Sequence, residues 1–242
     1  KVLIVLATPQ SVGLSSDRLD RIGKHFNSYV ENGRLPGYSV MVARRGHATY
    51  FHCNGLCDVE GNRPLEKDTI FRIYSMTKPI TTVGLMMMYE QGVFQLDDPV
   101  SIYMPEFKDM SVFKDGNADN FTVIPAKREI TIRHLLTHTS GLTYGFMQKH
   151  PVDEMYRVHD LSGATANRTT ESFVKKLSEL PLLFSPGDRW SYSVATDVLG
   201  RLIEILSGQS LDTYFDHHIL TPLGMAETAF SVPDGCQDRF AA

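Results

Sequence analysis

The feature that most constrains this chain is the run from Ile80 to Tyr89, "ITTVGLMMMY", almost continuously apolar and closed by Gly92. Such a pattern predicts a helix buried nearly all round rather than a surface amphipath, so the chain must build a core thick enough to surround it. Proline is tolerated in a first helical turn and poorly anywhere later, so Pro79 sets the helix start just upstream. Ser75 then stands at or beside the N-cap, and Lys78 lies three residues on, over the same face. A lysine is rarely buried without a partner. Ser75 is the candidate partner.

A chain of 242 residues holds one large domain or two modest ones and can bury a substantial core. With 42% hydrophobic and 21% charged residues, its composition is that of a soluble globular protein. A net charge of −4 gives no general pull toward nucleic acid or an anionic membrane, so no nucleic-acid partner is expected. No run reaches the roughly 18–20 apolar residues of a spanning helix. The opening "KVLIVLA" is too short for one and reads as a first strand, the remnant of a cleaved leader or an appended segment. Three cysteines, Cys53, Cys57 and Cys236, are too few and odd in number for a disulfide framework. They point to a reducing, cytoplasmic setting, with a periplasmic or secreted one as the alternative.

Along the chain, "SSDRLDRIGKHFNSYVENG" reads as a helix capped by Ser15 or Ser16, with Leu19, Ile22, Phe26 and Val30 on one face. "GYSVMVARRGHATYFHCNG" reads as a hairpin turning at Arg45-Gly46. Further helices are expected after Ser75, in "TIRHLLTHTSGL", in "TTESFVKKLSELPL" up to Pro181, in "VATDVLGRLIEILSG" and in "SLDTYFDHHILTPLGM". Neither an internal repeat nor a low-complexity tract is present. A lone hairpin is marginal without more sheet or a helix layer. The remaining strands of the sheet are therefore expected after the helices, and the chain looks cut short at Ala242.

Two places carry chemistry. A serine hydroxyl is a weak nucleophile until a base takes its proton, and a lysine at i+3 can do so if burial brings it to the neutral form. The free N–H groups of a helix N-terminus can also hold an oxyanion. S-x-x-K alone is a weak pattern, and its bland reading is a capping serine beside a solvated lysine. The second place is "RWSYSVATDVLG", where Tyr192 precedes a buried helix. Beside an ammonium a phenolate is favoured, so Tyr192 can serve as base or proton relay. The bland reading is a core tyrosine with a satisfied hydroxyl.

In that order and spacing, "SMTK", "LDDPVSIYMPEF", "TIRHLLTHTSGL", "PGDRWSYSVATDVLG" and "ILTPLGM" closely resemble the serine β-lactamase-like superfamily. Within it the chain is similar to family VIII carboxylesterases, the esterase relatives of class C β-lactamases, from about Ser15 to Phe230. The resemblance implies an α+β fold of the β-lactamase and penicillin-binding-protein type: an antiparallel sheet flanked by helices plus a mostly helical region, with the active site between them. It implies one catalytic domain over 1–242, truncated, with residues 10–75 on the sheet side and 76–242 mostly helical. It makes Ser75 the acylated nucleophile, Lys78 its lysine partner and Tyr192 the tyrosine of the Y-x-N motif. The expected reaction is hydrolysis of short-chain carboxylic esters, small molecules, with no cofactor. β-Lactam hydrolysis, D-alanyl peptide cleavage or acyl transfer on the same machinery is the alternative, and a catalytically silent relative is the rival from another class.

Two departures from the family pattern stand out. The asparagine of Y-x-N is Val194, a candidate substrate-binding position; valine has neither donor nor acceptor, which favours esters over antibiotics. The family's third element, a K-T-G-like or H-x-G/W-G-G-like strand that supplies one oxyanion N–H, has no match. Weaker signals remain. His134 and His138 stand at i, i+4 as zinc ligands do, but the metalloprotease glutamate is absent and no metal is expected. Cys53 and Cys57 form a lone C-x₃-C. Asn120 and Asn167 head glycosylation sequons that matter only in a secreted eukaryotic protein. No G-x-S-x-G elbow occurs, which counts against an α/β-hydrolase.

Overall fold

The structure, a computed structural model, describes residues 6–161 and 168–242. Most of "KVLIVLA" and Asn167 of the second sequon lie outside the described residues. The fold is α+β, and the chain divides into two compact units. One holds the described residues up to Ile73 together with Ala229–Ala242, the other runs from Tyr74 to Thr228.

In the first unit, helix α1 (Ser16–Glu31) starts behind Ser15 as the N-cap and buries Leu19 and Gly23. Strands β1 (Gly37–Arg44) and β2 (His47–Asp58) form the antiparallel hairpin that the sequence predicts, and β3 (Arg63–Pro64) pairs with β2 to give the order β1-β2-β3. The Arg45-Gly46 turn works because both residues adopt positive φ, 53° and 77°, as a two-residue hairpin loop of this kind requires. α1 lies on the sheet through a polar seam: the Tyr38 hydroxyl meets Asn27 Oδ1 at 2.8 Å and His52 Nδ1 at 2.9 Å. The last residues return to this unit. Ile70 N–H donates to the Arg239 carbonyl at 2.8 Å and Ala241 N–H to the Ile70 carbonyl at 2.9 Å, a parallel bridge that local sequence patterns do not signal.

The second unit holds the main core. Helix α2 (Thr77–Glu90) follows a 3-10 turn at Tyr74–Met76, and Met76 rather than Ser75 takes the N-cap position. α2 buries Thr81, Gly84, Leu85 and Met88 against helices α6 (Ala195–Ser207) and α7 (Leu211–Phe215). It is not enclosed on every side as its composition suggests, because Val83 is 50% exposed. A run of apolar residues without periodicity does not say which side lacks a neighbour. Gly84 lets α7 approach closely, and there Tyr214 donates its hydroxyl to the Gly84 carbonyl at 3.1 Å. Each Leu, Ile or Val buried in this core contributes about 1.5–3 kcal/mol.

A hairpin and three more helices join them in this unit. A hairpin, β4 (Ser111–Gly116) and β5 (Phe121–Pro125), carries Asn120 at its exposed tip. Helix α3 (Ile132–Leu136) begins in a reciprocal capping box: Thr131 accepts from His134 N–H, and His134 Nδ1 accepts from Thr131 N–H. Helix α4 (Pro151–Val158) is capped by His150 and has no counterpart in the sequence reading, whereas α5 (Thr170–Ser178) lies where a helix is expected and stops at Glu179, before Pro181. α7 continues as a π-helical turn over Asp216–Leu220. No helix among the described residues is long and apolar enough to cross a membrane.

Candidate active site

The residues singled out in S-x-x-K and Y-x-N all belong to the second unit. The backbone at Tyr74 takes the left-handed conformation (φ 42°), a state that a bulky residue reaches only at a cost. It turns the chain sharply into the 3-10 turn and sets Ser75, exposed, just ahead of α2. Lys78, in the first turn of α2, reaches back and donates from Nζ to Ser75 Oγ at 3.3 Å. Tyr192 comes from the loop before α6 and meets Ser75 Oγ through its hydroxyl at 2.7 Å. Residues 117 positions apart thus converge on one oxygen.

A second phenol completes the arrangement. Lys78 Nζ lies 4.8 Å from the Tyr192 ring centroid and 5.6 Å from that of Tyr144, and the two rings are 5.2 Å apart. Burial disfavours the Lys78 ammonium, but the Tyr192 and Tyr144 phenols facing it outweigh that and hold its pKa above the ordinary lysine value. The direction is opposite to the one that burial alone would give. Burial likewise raises the Tyr192 phenol, but hydrogen bonding to Lys78 and Ser75 outweighs it and brings Tyr192 below an ordinary tyrosine. Tyr144 goes the other way: burial, then the Asp197 carboxylate, push it up against the pull of Lys78. Neighbouring groups whose environments drive them apart take different proton roles. Of the two phenols, Tyr192 is therefore the more easily ionised.

His138 packs its ring 5.0 Å from Tyr192 and meets buried Ser193 Oγ through Nδ1 at 3.2 Å. Burial and the Lys78 charge lower its pKa, so the imidazole is neutral at pH 7. His134 is occupied in the α3 capping box, so the two histidines of "HLLTH" serve different local tasks. The structure does not bring Val194 to the site surface. Its side chain is 2% exposed inside the core, and its N–H donates to the Thr143 carbonyl at 3.2 Å. An apolar side chain at that position gains more from the core than from solvent, so the substrate-contact role read from the motif is withdrawn. Tyr144 was missed: it is one of ten tyrosines, and only its place just beyond the Ser140-Gly141 turn of "THTSGLTYG" marks it.

The beta-lactamase family model matches residues 22–242. The chain belongs to the beta-lactamase family. It is 35% identical over 229 residues to Esterase EstB of Burkholderia gladioli, covering 93% of this chain and 53% of that protein. Among solved structures it is similar to EstCE1, a hydrolase with promiscuous acyltransferase activity, at 33% identity and a TM-score of 0.75, covering 96% of this chain and 56% of that one. Unliganded simvastatin synthase (LovD) from Aspergillus terreus aligns at 30% identity and a TM-score of 0.77, covering 94% of this chain and 58% of that one. The chain spans about half the length of the curated relatives it matches.

Proposed function

We propose that this protein is a serine hydrolase that cleaves small carboxylic esters through an acyl-enzyme on Ser75. The observation that carries the reading is the double contact on Ser75 Oγ, 2.7 Å from the Tyr192 hydroxyl and 3.3 Å from Lys78 Nζ. The esterase relative supports the substrate class. In the reactive form Lys78 is an ammonium and Tyr192 a phenolate. The Ser75 proton passes to Tyr192 as Oγ bonds to the ester carbonyl carbon, whose oxygen takes the electron pair and is held in part by the Ser75 backbone N–H. Collapse breaks the bond to the alcohol oxygen, which leaves with the proton from Tyr192. Water then gives a proton to Tyr192 and attacks the acyl carbon. Ser75 departs, recovering that proton, and the carboxylic acid is released. Throughout, Lys78 keeps its charge and stabilises whichever anion stands beside it.

A second reading uses the same intermediate. If an alcohol takes the place of water, the product is a new ester, and the promiscuous acyltransferase activity of EstCE1 supports that branch. Both readings need a covalent Ser75. A fluorophosphonate probe followed by peptide mapping is expected to label Ser75 in the wild type and nothing in Ser75→Ala. Labelling of a different serine, or labelling that persists in the variant, would overturn both.

A further inference from the structure

Behind Tyr192 the second unit opens into a groove of about 340 Å³, near the lower limit for a small-molecule pocket. Tyr192 forms one side of it and so belongs both to this groove and to the nucleophile's hydrogen-bond shell. Phe184 and Met147 are among its apolar lining residues, and Arg189, Lys149 and His150 are among those with nitrogen-bearing side chains.

The charge in this groove is one-sided. Its carboxylate, that of Asp153, is buried and already committed: Oδ1 accepts from the Thr143 hydroxyl at 2.7 Å, and Oδ2 from Lys149 N–H at 2.9 Å and His150 N–H at 3.1 Å. Those donors spread its charge into the fold rather than toward a ligand. Neither Lys149 nor Arg189 forms an ion pair with a carboxylate among the described residues, whereas nearby Lys127 and Arg128 both pair with Asp188 at 2.9 Å. The Arg189 guanidinium carbon sits 4.8 Å from the Phe184 ring centroid, a cation–π contact that holds its charge beside the groove wall. His150 accepts from Val152 N–H through Nδ1, so its neutral ring keeps a donor at Nε2. Two cations and a neutral donor therefore border an apolar-walled groove that adjoins the proposed nucleophile.

We propose that this groove is a subsite for a carboxylate borne by the substrate, so that the preferred esters are small and anionic. The proposal builds on the reading of Ser75 as nucleophile, but it can be tested without turnover. Trp190, the only tryptophan in the chain, lines the groove and is 66% exposed, so its fluorescence reports occupancy. Titration of the Ser75→Ala protein with benzoate and with benzamide compares a carboxylate with a neutral group of the same shape. Benzoate is expected to saturate the signal with a Kd at least tenfold below that of benzamide. Raising the salt concentration should narrow that gap, and Arg189→Gln combined with Lys149→Gln should close most of it. Arg189→Lys, which keeps charge but loses the planar fork, should fall between. Equal affinities, no saturable signal, or a benzoate preference untouched by the double variant in a protein of unchanged circular dichroism would overturn the subsite. A second arm compares kcat/KM for mono-4-nitrophenyl glutarate and its methyl ester, each divided by its uncatalysed rate. A ratio above about five that drops in the double variant supports the subsite. A ratio near one that does not drop overturns the claim that the anion directs substrate choice. Failure of both esters to react, with benzoate still bound, would count against the Ser75 reading and leave the subsite standing.

Discussion

Replacing Tyr192 by phenylalanine separates the proton role of the phenol from its packing. The ring would stay between His138 and Tyr144, at centroid distances of 5.0 and 5.2 Å, so its apolar contacts survive. What goes is the hydroxyl with its hydrogen bonding, each such bond worth about 0.5–1.5 kcal/mol of stability in general and less at a half-buried site. If that oxygen takes the Ser75 proton, kcat/KM for a short aryl ester should fall about 10²–10⁴-fold, or ~2.7–5.5 kcal/mol at the transition state. The barrier effect thus exceeds the folding effect several-fold, and the two are read separately by stopped-flow hydrolysis and thermal unfolding. The pH profile adds a sign. The wild-type rate should rise with pH as the pair loses its first proton, at an apparent pKa below the ordinary tyrosine value of about 10, because Lys78 and Ser75 favour the phenolate. In Tyr192→Phe that rise should vanish. A variant within tenfold of wild type, with the alkaline rise intact, would refute the reasoning and return Tyr192 to a packing role.

Lys78→Met removes the ammonium but keeps the bulk, and should cost on the order of 10²-fold in kcat/KM and move the alkaline rise to higher pH. Lys78→Arg retains charge and should lose less; equal losses for the two would mean that Lys78 itself takes the proton, which a guanidinium does not. Asp153→Ala leaves the Thr143 hydroxyl and the Lys149 and His150 amides without their buried acceptor, so a loss of about 3 kcal/mol is expected, seen as a Tm lower by roughly 6–12 °C. Gly141→Ala should also destabilise, by more than ~1 kcal/mol in denaturant unfolding. Its φ is +88°, and a Cβ there would lie 2.3 Å from the Phe184 carbonyl oxygen.

The parts of this architecture visible in the sequence are those that local rules govern. Ser15 and Gly208 bound α1 and α6 at the predicted places, and the Arg45-Gly46 turn joins the predicted strands. Ser75 and Lys78 were legible as a pair because three residues at a helix start fix their relation. Tyr192 became legible only through its motif, since nothing local says that it reaches Ser75. The rest was hidden because it depends on distant partners. Tyr144 meets Lys78 from 66 positions away, and the 239–241 segment pairs with Ile70 through backbone atoms that carry no side-chain signature. α4 was hidden because its cap is a histidine, outside the usual capping set. Val194 misled because a motif position names a residue type and leaves open which way the side chain is buried.

The loops that carry the two phenols are laced together along their backbones. Gly187, Ser191 and Val194 donate to the carbonyls of Thr139, His138 and Thr143, and Leu183 donates to that of Gly141. For anyone exchanging parts between members of the family, this makes residues 138–144 and 183–194 a single cassette. A graft of one segment alone meets a neighbour whose donors are spaced for another backbone, and a one-residue insertion in either would slide every later bond out of register. Transplanted together, the pair should bring both tyrosines into place at once. Transplanted singly, it should lose soluble expression before it gains any new specificity.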